Sequence, residues 1–222
     1  MDNIVKIGIY GGTFDPFHDG HKQVIKNILD AKLVDKIRVV PCRQNPLKGH
    51  KPSDNYKRIN QISKEIEEFG YKCSLETSEL HSRKEEPSYT YDTLNNMMYR
   101  DWSHNYGRKI RYDYYLIIGV DEWNVFKQWK NYDWILKNVD ILVHPRPGIE
   151  PEWEHYRMTY LKDFEAKNLS SSRIRLDEFI EGLKSLNIGE DLRVKQKREE
   201  EERKKIEYQK NIDDLIKNLQ NI

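Results

Sequence analysis

The chain has 222 residues, enough for one domain of ordinary size with a full core, plus an appendage. Its 38 Lys and Arg residues balance 37 Asp and Glu residues, so bulk charge favours neither nucleic acid nor membrane as a partner. No apolar run could span a bilayer and no N-terminal leader is recognisable, so we expect a cytoplasmic protein. Cys42 and Cys73 are too few for a disulfide framework, which fits a reducing compartment.

The most informative stretch is residues 11–21, GGTFDPFHDGH. It follows an apolar run at residues 5–10, which predicts a buried strand. It precedes residues 22–29, whose apolar positions have helical spacing. The stretch is therefore predicted to connect a strand to a helix at the carboxyl end of the strand, where open α/β sheets bind ligands.

The residue types in this connection suit an anion. Gly11 and Gly12 allow a tight turn and a close approach of a ligand to the backbone amides. The start of the following helix offers N–H groups and the positive end of a dipole. His18 and His21, three residues apart, would share a helical face, donate hydrogen bonds to one anion and, when protonated, add positive charge. A plain turn and a metal-binding pair are the alternatives, but no Cys or third His lies nearby to complete a ligand set.

GGTFDPFHDGH resembles the signature of the HxGH nucleotidyltransferases, and its longer form resembles that of bacterial nicotinate-mononucleotide adenylyltransferases. The resemblance implies a Rossmann-like fold in which this loop holds the phosphates of ATP. It implies that His18 and His21 are the catalytic phosphate-binding pair. It also implies a nucleotide site lined by Gly11, Gly12, Thr13 and Phe14. Because several adenylyl- and cytidylyltransferases share the HxGH core, specificity must come from elsewhere in the chain.

The next segments predict alternating strands and helices. Residues 36–41 read as a strand that Pro41 ends, residues 54–69 as a helix with Gly70 as its C′ residue, and residues 73–76 as a short strand. The loop between the strand at residues 36–41 and the helix at residues 54–69 contains Asn45-Pro46-Leu47-Lys48, which resembles an NP-x-K segment of the same family. The resemblance implies that Lys48 reaches the triphosphate and acts in catalysis; the alternative is a solvated surface lysine.

Residues 87–94, PSYTYDTL, predict a helix start with a Ser or Thr N-cap. They also resemble the family's SYT-x-DTL segment, which implies that Tyr89 and Thr90 seat the nicotinate end of the mononucleotide. Residues 112–119 are aromatic and β-branched and predict a central strand that ends in Gly119.

The segment after this central strand also resembles the family. Its IG-x-D pattern implies that Gly119 and Asp121 line the ATP site and that Trp129 stacks on the pyridine ring. Many relatives have Tyr after that Trp, whereas this chain has Lys130, an extra cation that could alter the base preference. Trp134 is expected in the core.

Residues 139–144 predict the next parallel strand, which leads to Arg146 in an RPG segment. The resemblance implies a mononucleotide contact for Arg146, and a cap on the sheet edge stays open as the alternative. Residues 169–175, LSSSRIR, resemble the family's ISST-x-IR segment. Ser171 and Ser172 at a helix start would present hydroxyls and amides to ATP, and the planar fork of Arg175, one turn later, suits a phosphate.

The resemblance fades beyond residue 180. Residues 195–205 are densely charged, and apolar residues then recur at spacings of four and three, at Tyr208, Ile212, Leu215, Leu219 and Ile222. We predict a nucleotidyltransferase domain over residues 1–190 and a charged helical extension over residues 191–222. The extension either docks on the domain or forms a homo-oligomer with another copy, or it is a solvated tail.

Together these segments predict an α/β protein with a Rossmann-like doubly wound parallel sheet of the HxGH nucleotidyltransferase type. The resemblance implies adenylyl transfer from ATP to nicotinate mononucleotide, giving deamido-NAD and pyrophosphate. Mg²⁺ would be carried by the ATP phosphates, because no carboxylate cluster forms a dedicated site. Two alternatives stay open: an adenylyltransferase that prefers NMN or accepts both mononucleotides, and a non-catalytic nucleotide-binding scaffold or sensor.

Overall fold

The computed structural model describes residues 3–47, 52–81, 87–107, 110–164, 166 and 171–182, with single positions at 200, 203, 207 and 210. The chain forms two compact units, Met1–Ile174 and Arg175–Ile222. In the second unit, residues 175–182 and the four single positions are helical and mostly exposed. The rest of the predicted C-terminal extension lies outside the described residues, so its boundary at residue 190 and its role stay predictions.

The first unit is built on a six-stranded sheet in which every neighbouring pair of strands is parallel. The strand order is β3-β2-β1-β4-β5-β6, which is the doubly wound order of nucleotide-binding folds. The Rossmann-like prediction is therefore confirmed. The strands are β1 (Asn3–Gly12), β2 (Lys36–Pro41), β3 (Cys73–Leu75), β4 (Ile110–Gly119), β5 (Asp140–His144) and β6 (Met158–Tyr160).

Helices cover both faces of the sheet, so its central strands are apolar on both sides. In β4, Leu116 and Ile118 belong to one buried cluster, whereas Ile117 between them belongs to the other. The helices are α1 (Asp19–Asp30), α2 (Asn55–Ile66), α3 (Thr90–His104), α4 (Val120–Asn124) and α5 (Tyr132–Asn138), with short 3₁₀ turns at Glu67–Lys72 and Phe126–Gln128.

Five strands lie where the sequence predicted them. The helix predicted over residues 54–69 is shorter: α2 ends at Ile66, and Gly70, with a φ of +54°, lies inside the 3₁₀ turn that follows rather than at the helix end. The strand β6 was not predicted, because three residues with little burial give no readable alternation. The Ser or Thr N-cap predicted for α3 is wrong: Tyr89 occupies that position and makes no side-chain cap. The Ser88 hydroxyl instead accepts the N–H of Arg43 at 3.0 Å.

Candidate nucleotide-binding site

The candidate site lies where the direction of the chain's winding reverses. Strand β1 pairs with β2 on one side and with β4 on the other, and all three strands point the same way. The loops after β1 and β4 therefore leave the same edge of the sheet toward helices on opposite faces. Such a switch point opens a crevice, which is the general ligand site of open α/β sheets.

Both strands end in a glycine because a side chain from the next residues folds back over it. A Cβ at Gly12 would lie 2.7 Å from the Phe14 ring. A Cβ at Gly119 would collide with the Asp121 carboxylate and lie 3.2 Å from Nε of Arg146. At Gly12 the buried Phe14 ring excludes a side chain, whereas at Gly119 the nearest atom ends the flexible, partly exposed side chain of Asp121.

The two histidines cap α1 together. The N–H of Gly20 donates to Nδ1 of His18 at 3.1 Å, and the N–H of His18 donates to Nδ1 of His21 at 3.2 Å. The two rings stack with centroids 3.8 Å apart. Because each Nδ1 accepts a hydrogen bond, each ring carries its proton on Nε2, away from the backbone. The pair therefore offers two N–H donors at the start of a helix, which suits an anion.

His18 donates its hydrogen bond as a neutral imidazole. It is buried, and burial together with the positive charge of Arg146 lowers its pKa to about 4. The expectation that the pair could add positive charge therefore fails for His18 at neutral pH. What it supplies is a fixed hydrogen-bond donor.

A cluster of aromatic side chains packs against the loop that follows β1. Phe14, 2 % exposed, has a left-handed φ of +49° and packs on Tyr10, Phe17 and His21 with centroid distances of 5.3, 5.3 and 4.9 Å. A non-glycine residue in this conformation costs about 1 kcal/mol or more, so the packing must offset the strain. The Phe14 ring therefore supports the loop by packing, in addition to the backbone amide that Phe14 contributes.

Arg146 and Asp121 lie on the opposite side of the crevice. Nε of Arg146 is 3.4 Å from Oδ1 of Asp121. The charge of Arg146 acts on the pKa of both His18 and Tyr10, which shows that it is within electrostatic range of the loop after β1. The structure thus brings these two predicted residues to the same edge as the histidines.

Of the predicted residues after β6, Ser171 reaches the site. Its hydroxyl donates to the carbonyl of Pro16 at 2.9 Å, so the helical start at residue 171 is attached to the loop after β1. Ser172 is exposed in the same helical turn. Arg175 is half-buried and helical in the second compact unit. Lys48 lies outside the described residues.

Three of the four predicted mononucleotide residues, Tyr89, Thr90 and Trp129, lie in two neighbouring segments. Tyr89 and Thr90 begin α3, and Trp129 is half-buried against Phe126 with ring centroids 4.9 Å apart. Lys130 links the two segments: its Nζ lies 2.9 Å from Oδ2 of Asp92 and 4.6 Å from the centroid of the Tyr89 ring. The extra cation noted in the sequence is therefore paired with a carboxylate.

The sequence reading missed Arg58, which is 1 % exposed and donates hydrogen bonds to the loop after β1. A signal was present. The buried positions of α2 are Arg58, Ile62 and Ile66, so counting back one turn along the apolar stripe reaches an arginine at a core position. A charged residue at such a position indicates a specific buried partner.

The described residues contain neither a cluster of metal ligands nor a membrane-spanning helix. No three His, Cys, Asp or Glu side chains there come together as a metal site. No helix in that part of the chain is long and apolar enough to cross a membrane.

The sheet and the site together define a Rossmann-like nucleotidyltransferase domain. The family model described as cytidylyltransferase-like matches residues 9–177. Among curated proteins, the chain is 32% identical over 143 residues to a probable nicotinate-nucleotide adenylyltransferase of Flavobacterium psychrophilum, covering 64% of this chain and 68% of the relative. It is 31% identical over 191 residues to that of Azobacteroides pseudotrichonymphae, covering 85% and 90%. The chain belongs to the cytidylyltransferase-like family and, within it, to the nicotinate-nucleotide adenylyltransferases.

Solved structures agree on the fold. The nicotinic acid mononucleotide adenylyltransferase of Plasmodium falciparum, complexed with NaAD, superposes with a TM-score of 0.57 at 21% identity. The match covers 77% of this chain and 82% of that one. The same enzyme complexed with APC gives a TM-score of 0.56 at 20% identity.

Proposed function

We propose that the protein transfers the adenylyl group of ATP to nicotinate mononucleotide, giving deamido-NAD and pyrophosphate in NAD biosynthesis. The observation that carries this proposal is the stacked pair His18 and His21, whose Nε2–H groups are fixed at the start of α1 beside the glycine loop. The names of the relatives support the choice of acceptor.

The reaction needs no covalent intermediate. A 5′-phosphate oxygen of the mononucleotide attacks the α-phosphorus of ATP in line, and the bond from that phosphorus to the bridging oxygen breaks as pyrophosphate leaves. Because a phosphate monoester is already an anionic nucleophile, no general base is required. Catalysis then consists of positioning and stabilisation of charge on the phosphates.

The chain's own groups would share this work. His18 and His21 would donate to the reacting phosphates, and the amides of residues 11–14 would hold the rest of the triphosphate. We propose that Lys48 and Arg175 hold the leaving pyrophosphate and that Ser171, Ser172, Gly119 and Asp121 complete the ATP site. For the mononucleotide we propose Tyr89, Thr90, Trp129 and Arg146.

Magnesium enters this scheme as part of the substrate, Mg·ATP, whose phosphate oxygens are ligands that this ion prefers. We further propose that the reaction takes place in the cytoplasm. Self-association through the C-terminal extension is likewise a proposal.

The test is pyrophosphate release by the purified protein with Mg·ATP and either nicotinate mononucleotide, NMN or neither. The proposal expects release that depends on a mononucleotide and a higher kcat/KM with the acid. A preference for NMN would keep the mechanism and change the acceptor. Absence of release with both, from protein shown to be folded by circular dichroism, would overturn the proposal.

A further inference from the structure

Arg58 is a buried cation beneath the glycine loop. It lies on α2 with 1 % exposure, and its Nη1 donates to the carbonyls of Thr13 and Cys42, each at 2.7 Å. Those carbonyls belong to the loops that follow β1 and β2. Its Nη2 donates to Oδ1 of Asn55 at 2.8 Å. One side chain therefore holds together two of the loops at the ligand edge of the sheet.

The charge of Arg58 is incompletely compensated. Its hydrogen-bond acceptors among the described residues are two carbonyls and one amide, all neutral, and its Nε is buried there without a partner. Cys42, Asp15 and Asp54 act on its pKa through space and offset part of the effect of burial, and Asp15 also accepts hydrogen bonds from Ser53. Burial lowers the pKa of the guanidinium, although an arginine stays charged. A buried charge of this kind is costly unless an anion approaches it.

The hydrogen bond to Thr13 also fixes the direction of an amide. The Thr13 carbonyl and the Phe14 N–H belong to one planar peptide and point in opposite directions. Because the carbonyl points to Arg58 in the interior, the Phe14 N–H points away from it. Within the described part of the chain this N–H has no hydrogen-bond partner. Withdrawal of electron density at the carbonyl by a guanidinium makes the N–H of the same peptide a stronger donor.

We propose that Arg58 is a positioning residue for the triphosphate: it locks the Thr13 peptide so that the Phe14 N–H donates to a phosphate, and the anionic ligand supplies the missing compensation for its charge. This inference rests on the proposed nucleotide site. It extends that site to a side chain that touches no substrate.

The first test compares Arg58→Met and Arg58→Lys with the matched control Arg38→Met, in Mg·ATP binding measured by calorimetry without mononucleotide. Arg38 lies on β2 and pairs with Asp101 at 2.6 Å, so its loss should lower stability but not ATP affinity. Arg58→Met should weaken binding at least tenfold, about 1.4 kcal/mol. Arg58→Lys keeps the charge but cannot reproduce the fork, and should weaken binding about threefold.

A folded Arg58→Met protein that binds Mg·ATP within twofold of wild type would overturn the proposal. So would equal losses in Arg58→Met and Arg38→Met, which would show a general effect of instability. Arg58→Lys with wild-type affinity would contradict the positioning role, because it would show that charge alone suffices.

A second test uses only the wild-type protein, so it does not depend on whether a variant folds. In wild-type protein labelled with ¹⁵N-phenylalanine, addition of Mg·pyrophosphate should shift the amide signal of Phe14 more than those of the other five phenylalanines. An unmoved Phe14 signal at saturating pyrophosphate would overturn the proposal. Since neither test uses a mononucleotide, a wrong acceptor leaves both readouts intact, and the two proposals fail separately.

Discussion

The loops that follow β1 and β4 are held in place by different means. After β1, the backbone is fixed by partly buried hydrogen bonds: the His18–His21 cap, Arg58 on the Thr13 carbonyl and Ser53 on the Asp15 carboxylate. After β4, Nε1 of the buried Trp123 donates to the carbonyl of Trp153 at 2.9 Å. The charged side chains there form ion pairs that are partly exposed, Arg146 with Asp121 and Lys130 with Asp92. Both loops line the same edge of the sheet, but the charged group that supports the first, Arg58, is buried, whereas the ion pairs of the second are partly exposed.

The difference matches what each side is proposed to bind. An exposed ion pair contributes about 0–1 kcal/mol, so it is easily rearranged when a ligand arrives. Buried donors fixed before the ligand binds cost no reorganisation during the reaction, which is the requirement for stabilising charge on phosphates. We therefore expect substitutions after β1 to affect the chemical step, and substitutions at Trp129, further along after β4, to affect the choice of acceptor.

The largest expected effect is at His18. His18→Ala should lower kcat by about 100-fold or more, because it removes a fixed donor to the reacting phosphates. His18→Asn separates this role from capping, since Asn is a good N-cap but lacks the imidazole Nε2–H. Steady-state pyrophosphate release measures both variants, and exposed His104 on the last turn of α3 gives the control His104→Ala. Near-normal turnover in His18→Asn would remove His18 from the reaction.

A smaller loss is expected at Arg175. Arg175→Ala should lower kcat/KM for ATP by about tenfold, the effect of losing one charge-assisted contact to phosphate. The control is Arg173→Ala, an exposed arginine two residues earlier. If both variants keep the wild-type kcat/KM, Arg175 has no role in ATP binding and the proposed ATP site loses that residue.

The neutral state of His18 predicts a dependence of stability on pH. Its folded pKa of about 4 lies below the ordinary value of 6.5, so between these values the unfolded chain binds the extra proton. The free energy of unfolding should therefore fall as pH falls from about 6.5 to 4. Urea unfolding at several pH values measures this slope, which should be shallower in His18→Asn. An equal slope in the variant would contradict a neutral His18.

The smallest effect is expected at Lys130. Because its ammonium is already paired with Asp92, Lys130→Met should change the ratio of kcat/KM for nicotinate mononucleotide over NMN by less than about fivefold. Lys127→Met is the control, since Lys127 is an exposed lysine that lies 4.4 Å above the Trp153 ring. A change of 100-fold would instead mean that the ammonium itself recognises the nicotinate carboxylate.

The pattern of the sequence predicted the sheet well because β1, β2, β4 and β5 are apolar runs bounded by turns and helices of clear periodicity. It predicted an anion site in residues 11–21 because glycines and histidines at these spacings, between a strand and a helix, are typical of phosphate-binding loops. It could not predict the supports of that loop. Arg58 and Ser53 meet the loop across 45 and 38 residues of sequence, and such contacts are set by packing.

The sequence also could not give the charge states. His18 was expected to add charge when protonated, but burial and Arg146, which follows β5, keep it neutral. Lys130 looked like an extra cation near the pyridine ring, and only the position of α3 shows that Asp92 pairs with it. In both cases the deciding neighbour is distant in the chain, so no local pattern contains it.

The central claim is that the site at the carboxyl ends of β1 and β4 catalyses transfer of an adenylyl group. The most direct measurement follows the label of [α-³²P]ATP, with Mg²⁺ and nicotinate mononucleotide, in wild type and His18→Asn side by side. The account predicts that the wild type moves the label into deamido-NAD while unlabelled pyrophosphate is released, and that the folded variant does so at about 1% of that rate or less. Label that stays in ATP with the folded wild-type protein would contradict the account.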